Sequence, residues 1–442
     1  MFRRKIYREL LEWKNSSKSK TALLIEGARR VGKSTVAEEF AKNEYEKYIL
    51  IDFAYATDSV RDLFNDLSDL DYFFLQLQLQ YGVNLVEKNS LIIFDEVQFN
   101  PKARQAIKLL VADGRYDYIE TGSLISIKKN VENILIPSEE HKINMYPMDF
   151  EGFLWATGDI ETPQLLEKIY KNKISIGQEQ NRNMMRKFRL YMLIGGMPQA
   201  VQEYISSNNL EMVDRVKNEI IELYEKDFYK IDYTGQISEL YDSIPSELNK
   251  HSSAYQITSV IKNGNKESIM SKISELKSSK TVLTSYNVLD PNVGLSSMAN
   301  RNKFRLYLSD TGLLVSLMFK DREFTENIIY KKLLSDKLQS KLGILYENAV
   351  AQILVSKGHK LYYHTYLDKI KKRNYEIDFI IPKESKISPI EVKSSGYKAH
   401  KSLDNFSVKY SNRIKEKIVI YTKDLKIENN VTYLPIYLTM FL

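Results

Sequence analysis

The stretch Gly27-Ala28-Arg29-Arg30-Val31-Gly32-Lys33-Ser34-Thr35 constrains this chain more than any other, because few backbones accommodate it. It follows the apolar run Ala22-Leu23-Leu24-Ile25 and precedes an amphipathic segment from about Lys33 to Lys42, which predicts strand, tight loop and helix in that order. Gly27 and Gly32 let the loop curl until successive N–H groups point inward, and a helix beginning at Lys33 turns its partial positive end on the same spot. An anion belongs there. Lys33 reaches the β- and γ-phosphates of a nucleotide as a point charge, and the Ser34 hydroxyl can sit on a magnesium ion. All nine residues from Gly27 to Thr35 are therefore candidate nucleotide-binding positions.

A second element agrees in order and character. Leu91-Ile92-Ile93-Phe94 reads as a buried strand that ends in Asp95-Glu96, the Walker B arrangement. Asp95 is placed to hold magnesium through water, and Glu96 to polarise an attacking water as general base, with Gln98 next in line for that role. Further on, Tyr116-Asp117-Tyr118-Ile119-Glu120 leads to Thr121-Gly122-Ser123. Thr121 or Ser123 is a candidate polar sensor of the γ-phosphate if that strand neighbours the Walker B strand, and a simple turn if it does not. Tyr48 to Phe53 reads as another strand, Leu70 to Tyr81 as a helix, and Pro101 opens a helix to about Ala112. Alternating strands and helices predict a parallel sheet with its site at the strands' C-terminal ends. The guanine-reading Asn-Lys-x-Asp is absent, which favours ATP.

Beyond the sheet the pattern changes. Thr162 to Lys230 is helical and is broken by Gly195-Gly196-Met197-Pro198, which marks either a hinge or a helix end. Three helices, at Ile244 to Lys250, Gln256 to Lys262 and Lys266 to Lys277, precede strands at Val282 to Val288 and Arg305 to Leu308. That order suits a winged helix, in which Lys266 to Lys277 would either read DNA or pack on protein. The expected organisation is an α/β chain with four parts: a P-loop core over 1–160, a helical lid over 161–235, a winged-helix-like module over 236–310 and a last α/β domain over 311–442.

The last quarter carries a second constellation. Tyr375 to Ile381 and Ile390-Glu391-Val392-Lys393 read as strands, and residues two apart on a strand share a face, so Glu391 and Lys393 point together. With Asp378 this is D-x12-E-x-K. Asp378 and Glu391 can bind magnesium and Lys393 can orient or activate water, with Glu347 supporting from a helix. A half-buried charged pair on an edge strand would give the same spacing. Charge points to the same region. Residues 343–442 carry 17 Lys+Arg against 10 Asp+Glu, which accounts for the whole net charge of +7. A basic face there suits DNA, although a chain rich in lysine, isoleucine, asparagine and tyrosine could owe its charge to composition alone.

The chain has no cysteine, so disulfides and thiolate metal sites are excluded, and its five histidines show no zinc spacing. No run of apolar residues is long enough to cross a membrane. A cytoplasmic protein with no membrane partner is expected.

The ordered set Gly-Ala-Arg-Arg-Val-Gly-Lys-Ser-Thr, Phe-Asp-Glu-Val-Gln, Thr-Gly-Ser, Met145-Tyr146-Pro147-Met148-Asp149-Phe150-Glu151-Gly152-Phe153-Leu154, Gly-Gly-Met-Pro-Gln-Ala-Val and Glu-Ile-Asp-Phe with Glu-Val-Lys-Ser-Ser spans nearly the whole chain. It resembles prokaryotic AAA-type ATPases that carry a C-terminal domain of unknown function similar to restriction endonucleases. The resemblance implies ATP binding at Gly27 to Thr35, Walker B roles for Asp95 and Glu96, and a nuclease-like fold around Glu347, Asp378, Glu391 and Lys393. Two departures matter. Ile377 stands where the nuclease motif has proline. Where many relatives have a glycine-arginine pair, this chain reads Ile136-Pro137-Ser138-Glu139-Glu140-His141, so the motif assigns no arginine finger and Arg115 is one candidate. Two functions follow: an ATP-dependent enzyme acting on DNA, or a nucleotide-switched interaction protein whose nuclease-like domain is inactive and binds nucleic acid or a protein. Either could work as a homo-oligomer.

Overall fold

A computed structural model describes residues 1–17, 20–122, 138–250, 254–261, 266–320, 331, 333–335, 339–368 and 373–442. The chain divides into two compact units, Met1–Tyr146 with Ser278–Lys280, and Pro147–Lys277 with Thr281–Leu442. Among the described residues no helix is long and apolar enough to cross a membrane.

The first unit is built on five strands, β1 (Ala22–Glu26), β2 (Lys47–Asp52), β3 (Ser90–Asp95), β4 (Asp117–Gly122) and β5 (Glu140–Asn144). They lie in the order β2-β3-β4-β1-β5, and every pair is parallel. β1, β3 and β4 are buried along their whole length, as expected for strands covered on both faces by crossover helices. Those helices begin and end where the sequence provides chemistry. Asn100 caps Pro101–Asp113 by accepting from the Ala103 N–H, and Asp69 caps Leu70–Tyr81, which stops at Gly82 in the left-handed region. Phe53, Phe64, Phe73, Phe74 and Phe94 meet edge to face beside β2 and β3, and this aromatic cluster packs against the end of β3 through Phe94. The opening helix Ile6–Ser17 buries Leu10 and Trp13.

The second unit begins with long helices, among them Gln178–Ile194, Pro198–Ser207 and Leu210–Ile231. The Gly195-Gly196 break is a packed junction. A Cβ on Gly196 would lie 1.9 Å from the Met148 carbonyl oxygen, and one on Gly195 would lie 2.2 Å from Asp310 Oδ1. Asp310 is fully buried and accepts from the Gly196 N–H at 2.5 Å and the Leu313 N–H at 3.0 Å, which caps the helix Thr311–Met318. These glycines are there to let chain segments touch.

Two sheets complete this unit. β6 (Val282–Val288), β7 (Ala299–Leu308), β8 (Leu361–Asp368) and β9 (Arg373–Ile377) lie in the order β7-β6-β8-β9. The two strands expected as a wing do pair antiparallel, but β6 also pairs in parallel with β8. They are therefore part of a larger sheet that the last hundred residues complete, and the preceding helix Ile257–Val260 is only a single turn. The third sheet, β10 (Phe379–Lys383), β11 (Lys386–Val392), β12 (Lys417–Tyr421), β13 (Lys426–Glu428) and β14 (Val431–Pro435), has the order β10-β11-β12-β14-β13. β10 and β11 form an antiparallel hairpin, and the helix Lys401–Lys409 carries the chain to β12, parallel to β11.

Candidate functional site

The loop after β1 closes around its own lysine. Gly32 caps the helix Lys33–Glu44 at φ 95°, and Arg30 is also left-handed at φ 68°. Lys33, the first helical residue, is buried and donates to the carbonyl oxygens of Gly27 and Ala28 at 3.1 Å each. Burial lowers its pKa, opposed by the negative charges of Glu96 and Asp95. Gly27 is required for a further reason. A Cβ there would lie 2.4 Å from the Met145 carbonyl oxygen, because the chain leaving β5 crosses directly over the loop.

Asp95 ends β3 and gathers the polar groups. Its Oδ1 accepts from the Ser34 hydroxyl at 2.7 Å and from the Thr121 hydroxyl. β4 lies between β1 and β3, so Thr121 reaches the gap between P-loop and Walker B strand from the neighbouring strand. Glu96 stands just past Asp95 in the left-handed region at φ 51°, and Gln98 donates its amide N–H to the Glu96 carboxylate. Ser123 lies outside the described residues. Arg29 is half-buried, while Arg30 and Thr35 are exposed at the rim.

Arg115, the candidate finger, is otherwise employed. It precedes the N-terminal end of β4, the far edge of the sheet from the P-loop, and is paired with Asp71 at 2.6 Å and Asp113 at 2.9 Å. Two carboxylates and the ring of Phe74 hold its guanidinium in place. Lys280, which the sequence gave no signal for, does lie at the sheet's C-terminal edge. Its ammonium meets Asn144 Oδ1 at 2.9 Å and Glu26 at 3.6 Å, at the ends of β5 and β1.

Beneath this site the sheet buries charge. Arg104 forks onto both oxygens of Glu140 at 2.9 Å, and Glu120, fully buried on β4, has neither carboxylate oxygen hydrogen-bonded among the described residues. Burial, then the charge of Glu140, raises the Glu120 pKa well above the usual carboxylate range. A carboxyl that keeps its proton only in the fold stabilises fully below its unfolded pKa, and that contribution is lost as pH rises toward the folded value. Glu120→Gln cannot ionise. The Tm of the variant relative to the parent should therefore climb as pH goes from about 5 to about 8. Parallel Tm curves would mean that Glu120 ionises as freely in the fold as outside it.

The second constellation assembles around β11. Phe379 pairs with Ile390, which sets Asp378 opposite Glu391, and Asp378 Oδ2 accepts from the Val392 N–H at 2.7 Å. Lys393 Nζ meets Glu391 Oε1 at 2.6 Å. Burial, then the charges of Glu347, Glu376 and Glu391, raises the Asp378 pKa well above its usual range. Burial alone would lower Lys393, but Glu391, Asp378 and Glu347 outweigh it and raise its pKa. Glu347, on the helix Gln339–Ser356, faces this cluster from the side. Among the described residues no three acidic or histidine side chains are gathered as a ready metal site, so Glu347, Asp378 and Glu391 share a field without forming a three-ligand set. Glu376 joins them from β9 and is paired with Arg305 of β7 at 2.5 Å. Its spacing of two from Asp378 was a usable signal; nothing in the sequence linked Arg305 to it. A divalent cation still fits, because magnesium keeps several waters and needs only one or two carboxylates, and Glu391 Oε2 is buried without a hydrogen-bond partner among the described residues.

Comparisons with known proteins divide the chain in three. Residues 19–154 match the model of an AAA domain family, 185–323 a domain of unknown function (DUF8612), and 342–439 another (DUF4143). Over its length the chain is 24% identical to the uncharacterized protein MJ1637 of Methanocaldococcus jannaschii, covering 94% of this chain and 84% of that protein. Among solved structures, a Walker-type ATPase of Pyrococcus abyssi superposes with a TM-score of 0.42 at 14% identity, over 72% of this chain and 96% of that one. Cdc6p from Pyrobaculum aerophilum gives a TM-score of 0.25 at 12% identity, over 76% and 95%. The first matched stretch holds the P-loop, the Asp95-Glu96 pair and all five parallel strands, so the similarity to an AAA domain family falls on the residues that build the nucleotide-type sheet and loop.

Proposed function

We propose that the chain binds ATP with magnesium at the P-loop and hydrolyses it, and that the nucleotide state governs a DNA-directed activity of the nuclease-like cluster around Asp378, Glu391 and Lys393. The observation that carries the first half is the convergence of Ser34 and Thr121 on one oxygen of Asp95, with Lys33 buried in the loop beside them. Magnesium, when bound, supplies charge that offsets the phosphates. Ser34 and Asp95 would hold it, Lys33 would exchange its loop carbonyls for phosphate oxygens, Thr121 would sense the γ-phosphate, and Glu96 would take the proton of the attacking water once released by Gln98. With Arg115 tied to Asp71 and Asp113, an arginine from a second copy or a protein partner is the source of any finger. A cytoplasmic location suits a chain without cysteine.

The second half rests on the register that sets Asp378 against Glu391 with Lys393 two residues on, and on the basic excess of the last hundred residues. The test is cleavage of supercoiled and linear DNA by purified protein with magnesium, with and without ATP. Asp378→Ala and Glu391→Ala should each remove cleavage and leave ATP hydrolysis and DNA affinity largely intact. Lys393→Ala should remove cleavage and keep the cation. The tight Lys393–Glu391 ion pair favours a second reading, an inactive module that binds DNA. On that reading the parent cleaves nothing under any nucleotide, and Lys393→Ala weakens DNA binding in a salt-dependent way.

A further inference from the structure

β7 runs past the carboxylate cluster and contributes a side chain that the nuclease-like motif does not contain. Tyr307 is fully buried, and its hydroxyl has no hydrogen-bond partner among the described residues. Both carboxylate-bearing segments flank it. Its ring lies 5.7 Å from that of Phe379, the residue after Asp378. Asn348, the residue after Glu347, accepts from the Leu308 N–H at 2.8 Å and donates to the Leu308 carbonyl at 3.1 Å, which pins the strand just beyond Tyr307. Arg305, on the same face of β7, reaches Glu376. A buried hydroxyl without a partner is a cost to the fold, and Glu391 Oε2 is likewise buried without a hydrogen-bond partner among the described residues. The charges of Glu347, Asp378 and Glu376 act on the Tyr307 hydroxyl, and an unpartnered buried donor within their field suits a ligand better than packing alone.

We propose that Tyr307 completes a divalent-cation site with Asp378 and Glu391, its hydroxyl donating a hydrogen bond to a water of the cation's hydration shell. The inference rests on the reading of this cluster as a cation site. Tyrosine suits the role because burial, then the charges around it, holds its pKa far up and keeps it a donor. It is a positioning residue: it touches the ion through water and carries no proton in the reaction. The assignment also joins the two matched regions of unknown function at one site, since β7 belongs to residues 185–323 and Asp378 and Glu391 to 342–439.

The experiment measures Mn2+ binding calorimetrically on full-length, nucleotide-free protein, with Asp95→Ala in every sample to silence the P-loop, together with the Tm of each sample in chelator. Tyr307→Phe keeps the ring and removes only the hydroxyl. The expected result is Mn2+ affinity roughly three- to tenfold weaker, the loss of one hydrogen bond, with a Tm in chelator equal to or above that of the parent, because an unsatisfied buried group has gone. Unchanged affinity in Tyr307→Phe, while Asp378→Ala abolishes binding, overturns the role of Tyr307 and leaves the cation site standing. A Tm in chelator several degrees lower also overturns it, since the hydroxyl would then serve the cation-free fold. If the parent binds no Mn2+, or Asp378→Ala binds as the parent does, the reading of the cluster fails and the inference with it.

Discussion

Lys33→Ala should abolish the gain in stability that Mg-ATP confers on the parent. A ligand at a hundred times its Kd stabilises by about 2.7 kcal/mol, and the variant should show none of it in a thermal-shift titration. The reason is positional. The Lys33 ammonium is buried at the centre of the loop and is satisfied by the carbonyl oxygens of Gly27 and Ala28, so it is held where phosphate oxygens would replace them. Those two bonds also close the loop in the nucleotide-free protein, and the variant should lose a little stability on its own. Full retention of the Mg-ATP shift would show that the loop is a glycine-bounded helix cap and nothing more.

Glu96→Gln should leave ATP binding intact and slow hydrolysis by roughly 100-fold or more, the usual worth of a positioned general base. Glu96 is left-handed at φ 51°, a conformation that costs a non-glycine residue roughly 1–3 kcal/mol, and the strain aims its carboxylate past Asp95 and toward Gln98. Asp95→Ala should differ in kind. It removes the acceptor shared by Ser34 and Thr121 and should weaken magnesium-nucleotide binding itself. Phosphate release measured at saturating ATP separates the two. Parent-like turnover in Glu96→Gln would move the water-orienting role to Gln98.

The central strands of the first unit were legible because they are buried on both faces and β1 and β3 read as unbroken apolar runs, whereas the largely solvent-facing β5 gave no such run and was not legible. From β1 to β4 the strand and helix limits read from the sequence moved only by a residue or two. The P-loop and the Walker B pair were legible for the same kind of reason: phosphate chemistry needs its glycines, lysine and carboxylates at short, local spacings. The facing of Asp378 and Glu391 followed from the two-residue period of a strand once a hairpin was assumed, and the hairpin of β10 and β11 supplies it.

What the sequence by itself determined is thus the local chemistry: a strand, an anion loop and a helix, a carboxylate pair at a strand end, and two charged faces set by strand parity. Only the tertiary structure decided what those groups meet. It placed β4 between β1 and β3, so that Thr121 shares an oxygen of Asp95 with Ser34. It tied Arg115 to Asp71 and Asp113 and brought Lys280 to the ends of β1 and β5. It also set β7, with Arg305 and Tyr307, against carboxylates some seventy residues further along the chain. Contacts of that range carry no periodicity. They arise when apolar faces pack and leave the chain one arrangement that fills its core, and a polar side chain's partner is fixed only then.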